Sequence, residues 1–258
     1  MLESRLYRAI HEPSYWKWKK EESDIRDSLA AMQLFRIKQQ VPMVLSVLRQ
    51  YFDGALNLKN VRSMLRAVEN FHFAFTAVAS QRSSGGISFM YALHARDLCS
   101  AAANKKTSVL GELREKLASK RPSFAEFAAR FQELRYSSVI TKQKALVKYI
   151  LVKIYEANSP GLAIDPNKMT LEHLSPEKPT AAALSEEEIA SIGNLILVTQ
   201  EINNKLANKA FDEKRKILKG CSVWVDDVVL KAKAWKADEI QKRTELLAQV
   251  SYNHVWNL

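Results

Sequence analysis

A chain of 258 residues, 47% hydrophobic and 26% charged, is long enough for one large domain or two modest ones with cores of their own. No run approaches the roughly 20 uninterrupted apolar residues of a membrane span, and the opening residues MLESRLYRAIHEPSYWKWKK carry charge and aromatics where a signal peptide has an apolar centre. Cys99 and Cys221 stand far apart with no CxxC, which excludes a cysteine-rich structural zinc site and suits a reducing cytoplasm, the expected location. Lys and Arg total 39 against 28 Asp and Glu, a net of +11; such a balance serves solubility or a polyanionic partner.

Glycine and proline are sparse, and apolar spacing of three and four residues predicts a run of helices. Ile25 to Phe35 reads as a helix with Ser23 or Asp24 as N-cap. Val41 to Phe52 follows, with Pro42 tolerated in the first turn. Leu58 to Ala79 places Val61, Leu65, Val68, Phe71 and Phe75 on one stripe. The tract Arg82-Ser83-Ser84-Gly85-Gly86 breaks it, either as an interhelical loop or as backbone N–H groups offered to a phosphate. Ile87 to Ala102, Val109 to Ala118, Phe124 to Leu134 and Lys142 to Ala157 complete the helical array, with Ser123 and Glu126 forming a capping box.

Asn158-Ser159-Pro160-Gly161 is a strong break, and two domains are expected, 1–158 and 159–258. The charge changes at the same point: residues 1–158 hold 26 basic and 14 acidic side chains, residues 159–258 hold 13 and 14. A nucleic acid would therefore be held mainly by the first part, through its phosphates. Beyond the break, Met169 to His173 reads as a short strand. A loop with Pro176, Pro179 and three alanines leads to an acidic helix around Glu186 to Ala190. Gly193 to Thr199 is a β-branched strand, Asn203 to Leu218 a helix, and Trp235 to Trp256 a final amphipathic helix.

Three clusters carry chemistry: Glu172-His173-Leu174-Ser175-Pro176, Gly193-Asn194-Leu195 and Ile202-Asn203. Phosphodiester hydrolysis needs a base for water, a cation for the charge on phosphorus, and a fixed orientation for the base. A histidine that titrates near neutrality suits the first need. A neighbouring carboxylate and an amide oxygen suit a hard divalent cation. Successive strand residues point to opposite sides, so Glu172 and His173 require a twist or a strand end to serve one site.

Glu172-His173-Leu174-Ser175-Pro176 resembles the acidic-His-Ile-x-Pro signature of HNH (His-Me finger) nucleases. The string Gly193-Asn194-Leu195, Asn203, Leu206, Asn208, Phe211, Lys214 is similar to the C-terminal family of GmrSD-type restriction endonucleases, with Asn194 and Asn203 nine residues apart. The ending with Trp235, Arg243, Leu247, Ala248 and Trp256, and the run ENFHFAFTAVASQRSSGGIS, also resemble that family. The resemblance implies a mainly α protein: a helical domain followed by a small ββα-metal module wrapped by helices. It implies a DNA endonuclease of a bacterial restriction or phage-defence system. His173 would be the general base and Asn194 would orient its ring. Glu172 and Asn203 would hold Mg²⁺ or Mn²⁺, and Asn208, Lys205 and Lys214 are weaker DNA contacts. These proteins usually begin with a ParB/sulfiredoxin-like nucleotide-hydrolysing domain, and its DGQQR-type motif is absent here. The chain is thus expected to be a C-terminal half, an excised piece or one subunit of a split system, with that domain as partner.

Blander roles stand beside these. Asn194 after glycine suits a turn, Asn203 suits a helix N-cap, and Lys214 suits a solvated helix face. His72 and His94 lie on apolar helices and read as core or interface residues. Tyr15-Trp16-Lys17-Trp18-Lys19-Lys20 suits base stacking or contact with a missing domain. A non-catalytic DNA- or partner-binding module, or an RNase using the same site, are the competing functions.

Overall fold

Helical periodicity organises most of the chain. The computed structural model describes residues 2–81, 85–161, 164–177 and 184–258; Arg82 to Ser84, Pro179 and the three alanines that follow lie outside the described residues. Packing divides the chain into two units, Met1–Ser123 with Leu258 and Phe124–Asn257. The first unit contains α1 (Leu2–His11), α2 (Ser23–Leu34), α3 (Val41–Phe52), α4 (Leu58–His72), α5 (Gly85–Ser100) and α6 (Lys106–Ser119). Helix α3 packs on α1 and α5, and α4 packs on α2 and α6. Helix α2 starts at Ser23 with Glu22 at its N-cap, one residue before the expected cap. Helix α1 was not expected from the opening residues.

The helix expected over 58–79 is α-helical only to His72 and continues as a π-helical segment, Phe73–Val78. Phe71, His72 and Phe73 are all fully buried. They belong to a run of consecutive buried residues, Ala67 to Ala74, that crosses the change from α-helix to π-helix. His72 is a core residue whose Nδ1 meets the Thr76 hydroxyl at 2.9 Å and whose Nε2 meets the Tyr91 hydroxyl at 3.0 Å. His94 is likewise buried, with Nδ1 donating to the Met90 carbonyl at 2.7 Å.

The second unit contains α7 (Phe124–Phe131), α8 (Lys144–Asn158), β1 (Met169–His173), α9 (Glu186–Ala190), β2 (Leu195–Thr199), α10 (Gln200–Leu206), α11 (Phe211–Lys219), α12 (Asp227–Lys231) and α13 (Ala237–Val250), the last extended by a π-helical Ser251–Val255. Strands β1 and β2 are antiparallel, pairing Leu171 with Leu197 and His173 with Leu195. Helix α10 follows β2 without a loop, so the chain runs β–β–α around the expected motifs. Leu174, Ile196, Val198, Leu206, Phe211 and Trp235 share one buried cluster beneath it. The protein is mainly α with a small two-stranded sheet.

Two boundaries differ from expectation. Helix α8 ends at Asn158 but packs on β2 and on Ser251–Val255. The Trp256 indole donates to the Tyr149 hydroxyl at 3.0 Å, and Tyr155 meets Trp224 edge-on. Packing therefore places α7 and α8 with the sheet, and the units divide at Ser123/Phe124 instead of 158. The first unit then holds 20 basic and 11 acidic residues and the second 19 and 17, so the basic excess keeps its side with less contrast. The helix expected over 203–218 is broken at Ala207, which has φ 42°, into α10 and α11. Thr199, whose Oγ1 accepts from Ile202 N at 3.3 Å, is the N-cap of α10; Asn203 is not a cap. Helix α12 was not anticipated. Among the described residues no helix is long and apolar enough to cross a membrane.

At Gly193 the backbone lies close against α13. A Cβ there would stand 2.2 Å from both the Ile240 carbonyl oxygen and the Thr244 Oγ1 of α13. Arg243, one residue short of Thr244, is buried and donates from Nε to Asp226 at 2.7 Å and from Nη1 to the carbonyls of Gly193 (2.8 Å) and Leu195 (2.7 Å). Gly193→Ala must push α13 off these acceptors, so it should lower stability by at least about 1–3 kcal/mol, read as a fall in Tm. A second expectation concerns pH. Burial holds the His72 imidazole neutral and takes its pKa from 6.5 down to about 3. The unfolded chain takes up that proton first as pH falls. Stability is therefore complete above pH 6.5 and lost progressively toward pH 3. His72→Gln should flatten the dependence of Tm on pH in that window.

Candidate active site

The site is built where β1 ends. Tyr136, Leu171, Glu172, His173, Pro176, Glu177, Asn203, Ala207, Asn208 and Lys214 line one cleft of ≈ 430 Å³. The geometry thus brings Glu172, His173, Asn203 and Asn208 together. Asn194 lies elsewhere: it is fully buried and does not line the cleft.

Asn194 was expected to orient the His173 ring, and the structure corrects this. Its Oδ1 accepts from Ser175 N at 2.8 Å and from the Trp235 indole at 2.9 Å. Its Nδ2 donates to the carbonyls of Ser175 at 3.0 Å and Ile189 at 2.8 Å. The backbone of Asn194 adds a bond from Leu174 N at 2.9 Å. Asn194 therefore shapes the turn that follows His173 and never meets the imidazole.

The ring is oriented by a different group. His173 Nε2 lies 3.0 Å from the Tyr136 carbonyl oxygen. A carbonyl only accepts, so Nε2 carries the proton and Nδ1 keeps the lone pair. Nδ1 has no hydrogen-bond partner among the described residues. The carbonyl is placed by the segment around it: Tyr136 N donates to Ala190 O at 2.8 Å, Ile192 N to Leu134 O at 3.1 Å, and Arg135 bridges Ser191. Glu177 ties down the chain two residues after Tyr136, accepting from Ser138 N at 2.7 Å and from the Ser138 hydroxyl, with its Oε1 3.5 Å from His173 Nε2. Burial is the main influence on the imidazole and pushes its pKa below the ordinary histidine value, favouring the neutral form that acts as a base. Tyr136 and Glu177 were missed in the sequence. A backbone acceptor leaves no residue signature, but a carboxylate four residues after His173 was a visible clue.

Lys214 explains how neighbouring strand residues share one cleft. It is buried, donates to Glu172 Oε1 at 2.6 Å and to the His173 carbonyl at 2.5 Å, and so draws the Glu172 carboxylate to the end of the strand. It was expected as a phosphate contact or a solvated residue; its side chain lines the cleft but is buried and bonded to Glu172 and the His173 carbonyl, so it is not a solvated one. Burial lowers its pKa, opposed by Glu172. Lys205 is exposed, paired with Glu201 at 2.7 Å, and outside the cleft lining.

The donor set for a cation is oxygen only. Glu172 Oε2 and the Asn203 side chain make no hydrogen bond among the described residues, and both residues face the same cleft. Among the described residues no group of three or more His, Cys, Asp or Glu gathers to hold a metal. The set fits a hard cation that keeps several waters, such as Mg²⁺, and does not fit an all-protein cage.

Residues 121–250 match the family described as GmrSD restriction endonucleases, C-terminal domain. The match begins within three residues of the second unit and covers every residue of the cleft. No curated protein matches the chain. With half its length matched, and that half folded around the expected motifs, the chain belongs to the C-terminal-domain family of the GmrSD restriction endonucleases.

Proposed function

We propose that the cleft is an HNH-type, metal-dependent endonuclease centre that cuts DNA, with His173 as the general base. The carrying observation is the imidazole: Nε2 is engaged by the Tyr136 carbonyl at 3.0 Å, burial favours the neutral ring, and Nδ1 is left unengaged on a residue that lines the cleft. Nδ1 takes the proton from a water as its oxygen attacks phosphorus; the bond from phosphorus to one sugar oxygen breaks, and the departing alkoxide takes up a proton from solvent. The resulting imidazolium keeps the Tyr136 acceptor and gains the Glu177 carboxylate, 3.5 Å from Nε2, as counter-charge. Glu172 and Asn203 would hold one Mg²⁺ or Mn²⁺, which when bound neutralises charge on the phosphoryl oxygens and leaving group. Asn208 contributes a contact to the substrate from the same cleft wall.

Membership of a restriction endonuclease family favours DNA over RNA as the substrate. The basic excess of the first unit, 20 basic against 11 acidic residues, supplies non-specific attraction for phosphates. A ParB/sulfiredoxin-like nucleotide-hydrolysing domain or subunit is the proposed partner on the strength of the resemblance.

The test is cleavage of supercoiled plasmid with Mg²⁺ or Mn²⁺ against EDTA. His173→Ala should cut at least about 10²–10⁴-fold more slowly while binding the duplex nearly as well, because the base acts in the chemical step; undiminished cutting would remove the assignment. Asn203→Ala should lose about 10–100-fold in activity and recover part of it at high Mn²⁺. No recovery at any Mn²⁺ concentration would deny Asn203 a role as ligand.

A further inference from the structure

We infer that Lys214 is a resident cation that keeps the divalent ion weakly bound in the free protein and lets it bind tightly only together with a DNA phosphate. The inference rests on the metal-dependent reading above. Lys214 is 0% exposed. Its ammonium is fixed by two short bonds, to Glu172 Oε1 at 2.6 Å and to the His173 carbonyl at 2.5 Å. Glu172 is the carboxylate offered to the cation, and Lys214 already neutralises its charge. Glu177, the other carboxylate of the cleft, is committed on both oxygens to Ser138. Asn203 brings a neutral oxygen. Glu172, Lys214 and Asn203 therefore carry no net charge between them, Glu177 keeps its single negative charge beside His173 Nε2, and a divalent ion bound to Glu172 must sit close to an ammonium.

Two cations sharing one carboxylate in a partly buried site repel each other strongly. A phosphodiester entering the cleft adds one negative charge and two non-bridging oxygens, which complete the coordination and restore net attraction. The ion and the DNA should thus bind with positive coupling, and the coupling is reciprocal by thermodynamic necessity. Lys214 meanwhile holds the Glu172 carboxylate in place, so the ion need not order it.

The experiment uses the full chain carrying His173→Ala, so that DNA is bound and not cut. Mn²⁺ binding to the DNA-free protein is followed by electron paramagnetic resonance, and duplex affinity by fluorescence anisotropy with and without Mn²⁺ at constant ionic strength. With Lys214 present, Mn²⁺ should bind the free protein weakly and raise duplex affinity about tenfold. Adding Lys214→Met should tighten Mn²⁺ binding to the free protein about tenfold or more and shrink the effect of Mn²⁺ on duplex affinity. Circular dichroism reports whether that variant folds. A second measurement leaves Lys214 intact: the ¹⁵N resonance of its ammonium should be broadened by Mn²⁺ only when the duplex is present. Tight Mn²⁺ binding with Lys214 in place, no tightening in a folded Lys214→Met protein, or broadening without DNA would each overturn the inference. If Mn²⁺ binds no form, with or without duplex, the metal-dependent reading itself fails.

Discussion

The side chain of Asn194 has two donor and two acceptor positions, and all four are filled inside the protein. A buried amide with every position satisfied is costly to disturb, because each lost partner leaves a desolvated polar group behind. Three segments converge on it: the turn after His173 through both polar groups of the Ser175 backbone, the end of α9 through Ile189, and the approach to α13 through Trp235. The start of β2 is the fourth, since Asn194 immediately precedes it. The position of His173 at the end of β1 is thus determined from behind, by a residue that never reaches the cleft.

Two buried ion pairs extend this arrangement. Arg243 and Asp226 lie 2.7 Å apart, and the guanidinium also serves two backbone carbonyls beside Asn194. Lys214 and Glu172 lie 2.6 Å apart, with the ammonium serving the carbonyl of His173. Neither pair is a simple source of stability, since desolvating two charges offsets much of their attraction. Each cation instead neutralises a carboxylate while binding carbonyls that the adjacent strand pairing leaves free. Geometry is what these pairs supply, one at the entrance to β2 and one at the exit from β1.

Much of this was legible in the sequence where the signal is local. Strand β1 over Met169–His173 and helices α3 and α9 fall where periodicity and capping residues place them, because neighbouring residues decide them. The clustering of Glu172, His173 and Asn203 was legible through motif spacing, which the β–β–α chain path translates into proximity. The orienting group for His173 was not. It is a carbonyl 37 residues upstream, on a segment held by a two-residue bridge to Ser191. The role of Asn194 was misread for a related reason: four bonds to backbone and indole depend on which segments fold around it. The break at Ala207 was hidden because alanine favours helix, whereas in the structure its φ is 42°. The unit boundary was misplaced because Pro160-Gly161 marks a loop, while the membership of α8 is decided by Tyr149 and Tyr155 meeting the C-terminal aromatics.

The use of the Tyr136 carbonyl has a genetic corollary. Every amino acid has a main-chain oxygen, so replacing the side chain at 136 leaves the acceptor for His173 in place. The orientation of the His173 ring is insulated from point substitution at that position. Its vulnerability is to length: one residue gained or lost between Leu134 and Tyr136 would shift the pairing with Ala190 and Ile192 and rotate the carbonyl away. Variation in this stretch is therefore constrained in spacing far more than in composition.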